Sequence, residues 1–351
     1  MQKQEYDWSS FTRRVYIKNI TSEQLFKKWV TSKGLEEWFI KSCQYISPAG
    51  VRKKPEESAE VGDTYEWTFH NRSISKGTIR KVVKNKEFQF TFGKSDPNAE
   101  NEVIVTVNFF DDQNGSGFDL KQEYMYESKY AKVNYYISCN MGWEFHMMNL
   151  KSTIEAEKDL RVIDGSRMHV DAPSAYPLDD YSWKEFTVRE YVPTDVETAF
   201  NYWAKANKII QWFIRKAEYT SNEGKEREGD EIIQTGDSYK WVFGSELTMN
   251  GTILEIDKNR LIRFTFGKKE PESDEYVQVK VTFEEKNGQT RITVFQNNIA
   301  DSPFGQVTYN LSCVLGWSYY MTNLRSIIES GYDLRETDPK KDLETRSKTI
   351  T

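Results

Sequence analysis

The sequence predicts an α+β protein made of two copies of one domain, each a curved antiparallel sheet around a long helix at its own C-terminal end. Three observations carry this reading. In the stretch Ser128–Glu155, Val133, Ile137, Trp143, Met147, Leu150 and Ile154 recur mostly at three- and four-residue steps, the pattern of a helix with one apolar face. The stretch returns at Ser302–Glu329, with Val307, Leu311, Val314, Trp317, Met321, Leu324 and Ile328 on the same stripe. Each copy closes a run of about 120 residues rich in alternating strands, a length suited to one domain.

The copies align at a constant spacing of 174 residues from the first helix onward. Trp38-Phe39-Ile40 matches Trp212-Phe213-Ile214, and Gly62-Asp63-Thr64-Tyr65-Glu66-Trp67 matches Gly236-Asp237-Ser238-Tyr239-Lys240-Trp241. Gly77-Thr78-Ile79 matches Gly251-Thr252-Ile253, and Thr91-Phe92-Gly93-Lys94 matches Thr265-Phe266-Gly267-Lys268. A period this long marks duplicated domains rather than a solenoid. Each copy opens with a strand, near Arg13–Ile17 and Glu185–Val192. A short helix follows, for which Thr21 with Gln24 and Thr194 with Glu197 fit the capping-box spacing. Phe26 and Trp29, like Phe200 and Trp203, form its apolar face, and a second short helix carries Trp38-Phe39.

The strands then alternate. Tyr65, Trp67 and Phe69 share one face, as do Phe88, Phe90 and Phe92, and Val103, Val105, Val107 and Phe109. A sheet with one apolar and one wet face is antiparallel and must be covered, and the final helix is the element large enough to do it. In the second copy Asp301-Ser302 are N-cap candidates and Pro303 sits at the first turn. The expected limits are residues 8–161 and 183–335 for the two domains, with a linker at 162–182 containing Pro173 and Pro177, and a charged, fraying tail at 336–351.

Composition narrows the function. The formal net charge is -6; residues 1–161 carry 24 basic and 23 acidic groups, and residues 162–351 carry 24 and 31. Neither half has the basic footprint of a nucleic-acid binder, so no nucleic-acid partner is expected. Cys139 and Cys313 are equivalent, Cys43 faces Ala217 in the alignment, and three thiols so placed argue for a reducing compartment. With no apolar signal core and no membrane span, a soluble cytoplasmic protein is expected.

Signals for catalysis are sparse. His70 and His146 align with Gly244 and Tyr320, so no catalytic or metal-binding role shared by the two copies can rest on histidine. Neither metal-ligand nor nucleotide-binding motifs occur, and no catalytic residue, metal or cofactor is assigned. Polar residues on the apolar face say more, because a buried unpaired amide is costly. Gln122 follows Phe118 and Leu120 in alternation, and Gln296 follows Ile292 and Val294. Each either bonds free backbone near a strand end or anchors a ligand. Asn140 stands where the second copy has Val314, and either bonds a neighbouring side chain or makes the first cavity more polar. Ser138 and Ser312 are placed to bond helix carbonyls four residues earlier. Tyr65, Trp67, Phe90 and Trp143, with Tyr239, Trp241, Phe264 and Trp317, line the space between sheet and helix or simply fill it.

The order of these motifs resembles the family related to the C-terminal domain of the Hsp90 ATPase activator, within the START/Bet v 1-like helix-grip superfamily. Gly251–Gly267, the strand Val277–Phe283 and Gly316-Trp317 through Leu324 carry the resemblance most clearly, and it extends over both copies. It implies a sheet gripping a long helix with a space between, often used for apolar ligands; it does not imply one activity. The leading expectation is a non-enzymatic binder of an apolar or amphipathic small molecule at the eleven residues from Tyr65 to Trp317 named above. The alternative is a co-chaperone-like module with a protein partner, and the third is a cyclase- or hydrolase-type enzyme using the cavity.

Overall fold

The structure, a computed structural model, describes residues 6–161, 181–244 and 246–350, with side chains as far as 345. The expected linker lies outside the described residues except for Tyr181 and Ser182, and so does His169. The chain divides into two compact units, residues 1–168 with 344–351 and residues 169–343, and each is described by itself.

The first unit begins with β1 (Phe11–Lys18), then α1 (Ser22–Val30) and α2 (Ser32–Glu36). The meander follows: β2 (Ser42–Ile46), β3 (Thr64–Thr68), β4 (Ile74–Val83), β5 (Glu87–Thr91), β6 (Ile104–Asp112) and β7 (Gly115–Glu123). All seven strands form one sheet in the order β1-β7-β6-β5-β4-β3-β2, and every pairing is antiparallel. Consecutive β1 and β2 therefore lie on opposite edges, and α1 and α2 bridge between them. The C-terminal helix starts as α3 (Lys129–Ala131), passes through a π-helical segment at Lys132–Ile137, and continues as α4 (Ser138–Glu155).

The second unit repeats this plan. It has β8 (Phe186–Val192), α5 (Val196–Ala204), α6 (Ala206–Ile209), β9 (Lys216–Thr220), β10 (Ser238–Val242), β11 (Thr248–Asp257), β12 (Leu261–Lys268), β13 (Tyr276–Lys286) and β14 (Gln289–Asn297). The sheet order is β8-β14-β13-β12-β11-β10-β9. Its last helix is α7 (Pro303–Gly305), a π segment at Gln306–Leu311, and α8 (Ser312–Ser330).

Local chemistry explains the element ends. Thr21 and Gln24 form the expected capping box on α1. On α5 the cap is Asp195, whose carboxylate accepts from the Thr198 N–H, rather than the expected Thr194. A carboxylate takes the cap because it also suits the positive end of the helix. Ser302 caps α7 with Pro303 in the first turn, as expected. The tail is not frayed throughout: Pro339–Ile350 is a helix, α9. Asp338 begins it by accepting from the Lys340 N–H at 2.9 Å, and Pro339 is preset for a first helical position.

The glycines of the two Gly-Thr-Ile motifs have a packing reason. Gly77 pairs with Tyr65 across β3 and β4, and Gly251 pairs with Tyr239 across β10 and β11. Each tyrosine ring lies over its glycine so that its hydroxyl reaches a carbonyl one strand further, Thr91 at 2.7 Å and Thr265 at 2.6 Å. A Cβ at Gly77 would stand 2.5 Å from the Thr91 carbonyl oxygen and 2.7 Å from the Tyr65 ring. Gly77→Ala and Gly251→Ala should each destabilise the domain carrying them by about 1–3 kcal/mol. Urea unfolding followed separately for the two domains checks this, and an unchanged midpoint would remove the ring-over-glycine explanation.

Candidate functional site

The site is built on the inward end of the last meander strand. Gln122 on β7 and Gln296 on β14 are fully buried. The Trp143 indole N–H donates to Gln122 Oε1 at 2.9 Å, and the Gln122 amide donates to the Tyr135 carbonyl at 3.5 Å and to Met125 Sδ at 3.3 Å. In the second domain the Trp317 N–H donates to Gln296 Oε1 at 2.8 Å, and the Gln296 amide donates to the Tyr309 carbonyl at 2.9 Å. Tyr135 and Tyr309 lie in the π segments. Both ends of each glutamine are thus bonded within the fold, to the backbone and to the helix tryptophan.

The π segments also change the serine bonds. Ser138 and Ser312 hydroxyls donate to the Val133 and Val307 carbonyls, both at 2.8 Å and five residues earlier rather than the expected four. The wider turn moves the nearest open carbonyl back by one residue.

The aromatic candidates come together between sheet and helix, and they interlock. Tyr65 stacks on Trp67 with centroids 4.1 Å apart, Trp67 meets Phe90 edge-on at 5.1 Å, and Trp143 stacks on Phe39 at 5.1 Å. The second domain repeats this: Tyr239 on Trp241 at 4.1 Å, Trp241 to Phe264 at 5.3 Å, and Trp317 on Phe213 at 5.1 Å. All eight candidate aromatics are buried. The rings fill much of the volume that a ligand would take.

Asn140 bonds a neighbour: Arg13 Nε donates to its Oδ1 at 2.5 Å, and Arg13 also pairs with Glu144. Sheet register places Val188 where Arg13 stands, since Arg13 faces Leu120 and Val188 faces Val294. With Val314 and Ser318 opposite, the second domain lacks this polar group. It carries another, in which Arg325 lies between Glu329 at 2.6 Å and Glu190 at 3.7 Å.

A repeated latch was missed in the sequence. Asn149 donates to the Trp38 carbonyl at 2.7 Å and accepts from the Leu160 N–H at 2.6 Å. Arg161, held by Asp159, donates to the carbonyls of Glu36, Glu37 and Ile40 at 2.9–3.1 Å. Asn323, Asp333, Leu334 and Arg335 repeat the arrangement on Trp212, Ile210, Gln211 and Ile214. The signal was present as the identical triplets Asp159-Leu160-Arg161 and Asp333-Leu334-Arg335.

Burial pushes the Cys43, Cys139 and Cys313 thiols up to about 12, which keeps them protonated, and all three are free. Burial, with Arg161 nearby, pushes the His146 imidazole down to about 3. Among the described residues no cluster of histidine, cysteine or carboxylate side chains could hold a metal ion. No helix among them is long and apolar enough to cross a membrane.

The family described as Activator of Hsp90 ATPase homolog 1-like protein matches residues 19–155 and again 193–329. The chain belongs to this family. The two matches are offset by the same 174 residues as the internal repeat, so each helix-grip unit is one Activator of Hsp90 ATPase homolog 1-like domain. Solved structures with similarity include a protein from Staphylococcus saprophyticus, at 20% identity over 43% of this chain and 96% of that one, with a TM-score of 0.34. An Hsp90 activator from Plasmodium falciparum is 22% identical over 42% and 96%, with a TM-score of 0.31. DynU16, from the dynemicin biosynthetic locus, is 10% identical over 91% and 99%, with a TM-score of 0.35. No curated protein matches the chain significantly.

Two expectations test the roles of Gln122 and His146. Gln122→Leu strands a tryptophan N–H and a π-segment carbonyl, so it should destabilise the first domain by about 2–4 kcal/mol, and Gln296→Leu the second similarly. A thermal or urea melt with unchanged stability would reject this role. The His146 imidazole protonates near 6.5 when unfolded but only near 3 when folded. Below pH 6.5 the unfolded chain therefore binds the extra proton, and stability falls as the pH drops. The first domain should lose about 1–2 kcal/mol between pH 7 and 5 from this group. His146→Tyr, the residue of the second domain at Tyr320, should remove that loss in paired urea melts.

Proposed function

We propose that this chain is a non-enzymatic, two-domain binding module that engages another protein through its surface, in the manner of a co-chaperone. One observation carries the reading. In both domains the space between sheet and helix is occupied by interlocked rings, and each inward glutamine has its amide oxygen and nitrogen bonded inside the fold. Such an interior serves as a rigid support, which leaves recognition to the outside. Family membership supports a chaperone of the Hsp90 class as the partner to test first. The three free thiols support a reducing location, and we assign the protein to the cytoplasm on that ground.

A small-molecule ligand between Trp67, Gln122 and Trp143 is the second reading. It is favoured by the Asn140 side-chain nitrogen, which is buried in the first domain with no hydrogen-bond partner among the described residues. One pair of measurements separates the two. Titrated against a purified Hsp90-class ATPase, the chain should bind saturably and change the rate of ATP turnover, while native mass spectrometry should show the bare polypeptide mass. Absence of binding together with a stoichiometric small-molecule adduct would replace the first reading with the second.

A further inference from the structure

The first domain carries a strained tyrosine that its fold does not require. After β7 the chain turns at Tyr124, whose φ is 66°, in the left-handed region that a bulky side chain rarely adopts. The next two residues impose the turn. The Met125 N–H donates to the Ser9 carbonyl at 3.0 Å, and the Tyr126 N–H donates to Ser95 Oγ at 2.8 Å. The second domain makes the same turn, with the Ile299 N–H donating to the Lys184 carbonyl at 3.0 Å, but it places Asn298 there at φ 59°. Asparagine tolerates this conformation far better than tyrosine. Asn298 also uses its side chain, donating to the Tyr276 carbonyl at 2.9 Å. Tyr124 packs into nothing comparable: it is 59% exposed, and Tyr126 beside it is 45% exposed.

The two rings border a groove of about 340 Å³, whose other walls include Glu100, Asn101 and Glu123. Its charged wall residues are acidic; Glu123 pairs with Lys121 at 2.5 Å, and Glu100 is exposed. The second domain shows what suits this place. There Lys269, the counterpart of Ser95, sets its ammonium 2.9 Å from Glu275 and 3.2 Å from Asn298 Oδ1. Glu275 and Asn298 are the counterparts of Asn101 and Tyr124. The second domain thus supplies its own cation, whereas the first has small Ser95 at that position and two exposed rings.

We propose that the groove bordered by Tyr124, Tyr126 and Glu100 docks a lysine- or arginine-bearing segment of a partner protein. The cation lies against the Glu100 carboxylate and the ring faces, and the segment's backbone runs along Asn101. Aromatic faces beside a carboxylate attract a desolvating cation, and exposed tyrosines are frequent anchors of protein interfaces. The strain at Tyr124 is retained because the ring serves the partner rather than the fold. This inference rests on the protein-binding reading above and names the chemistry of the segment bound.

The test is fluorescence anisotropy of the full chain with a labelled peptide of alternating lysine and serine, against a glutamate–serine peptide of the same length. The basic peptide should bind saturably at one site, and the acidic one should not. Tyr124→Asn should weaken binding by about tenfold and raise the unfolding temperature, because it relaxes the turn; Glu100→Gln should weaken binding by about threefold. Unchanged affinity in Tyr124→Asn, equal binding of the acidic peptide, or no saturable binding would each overturn the proposal. The same variants titrated against the Hsp90-class ATPase keep the two readings apart. Chaperone binding that ignores Tyr124→Asn removes the groove and leaves the protein-binding reading intact. Peptide binding lost in Tyr124→Asn without any chaperone binding keeps the groove and removes that partner.

Discussion

The rest of each domain depends on a buried amide that joins three elements. Gln122 or Gln296 leaves the last meander strand, accepts from the helix tryptophan and donates to a π-segment carbonyl. A long apolar helix could slide along or rotate on an apolar sheet face with little change in buried area. A directional hydrogen bond to one indole N–H fixes both its register and its rotation. An amide suits the position because it offers a donor and an acceptor on one rigid plane, and leaving either partner unpaired in this interior would cost about 1–3 kcal/mol. The π segment belongs to the same device, since it brings the Tyr135 or Tyr309 carbonyl to the amide.

With the helix held there, the rings have one arrangement. Trp143 and Trp317 meet Phe39 and Phe213 of the α2 and α6 corners, and those rings in turn meet Trp67 and Trp241 of the sheet. The corner is held from outside by Arg161 or Arg335, which covers carbonyls left open where the short helix ends. The interior is therefore supported from both ends of the long helix, by the glutamine near its start and by the latch after its finish.

The two domains share this frame and differ in the polar groups between first strand and last helix. Arg13, Asn140 and Glu144 serve the first; Glu190, Arg325 and Glu329 serve the second, further along the helix. Buried ion pairs add little net stability, yet losing one partner leaves a costly buried charge. Each pair instead ties a given strand to its own helix. Outside the frame, the duplicated turn differs between the domains: Asn298 makes an internal contact in the second, and Tyr124 exposes its ring in the first.

By itself the sequence determined the duplication, the antiparallel meander, the covering helix and the inward direction of Gln122 and Gln296. These follow from periodicity and exact spacing, which are properties of the chain read along its length. It left open what the glutamines bond, because an inward amide looks alike whether it meets a ligand, a backbone carbonyl or an indole. It likewise hid the π segments, since their one-residue widening leaves the apolar stripe nearly unchanged, and it misplaced the cap of α5 by one residue. The Asp-Leu-Arg latch was legible as a repeat but not as a bond, because its partners lie more than a hundred residues away. Only the tertiary structure decided these, along with the strain at Tyr124: hydrogen-bond partners and backbone angles at a turn are set by elements that meet across the fold, not by neighbours in sequence.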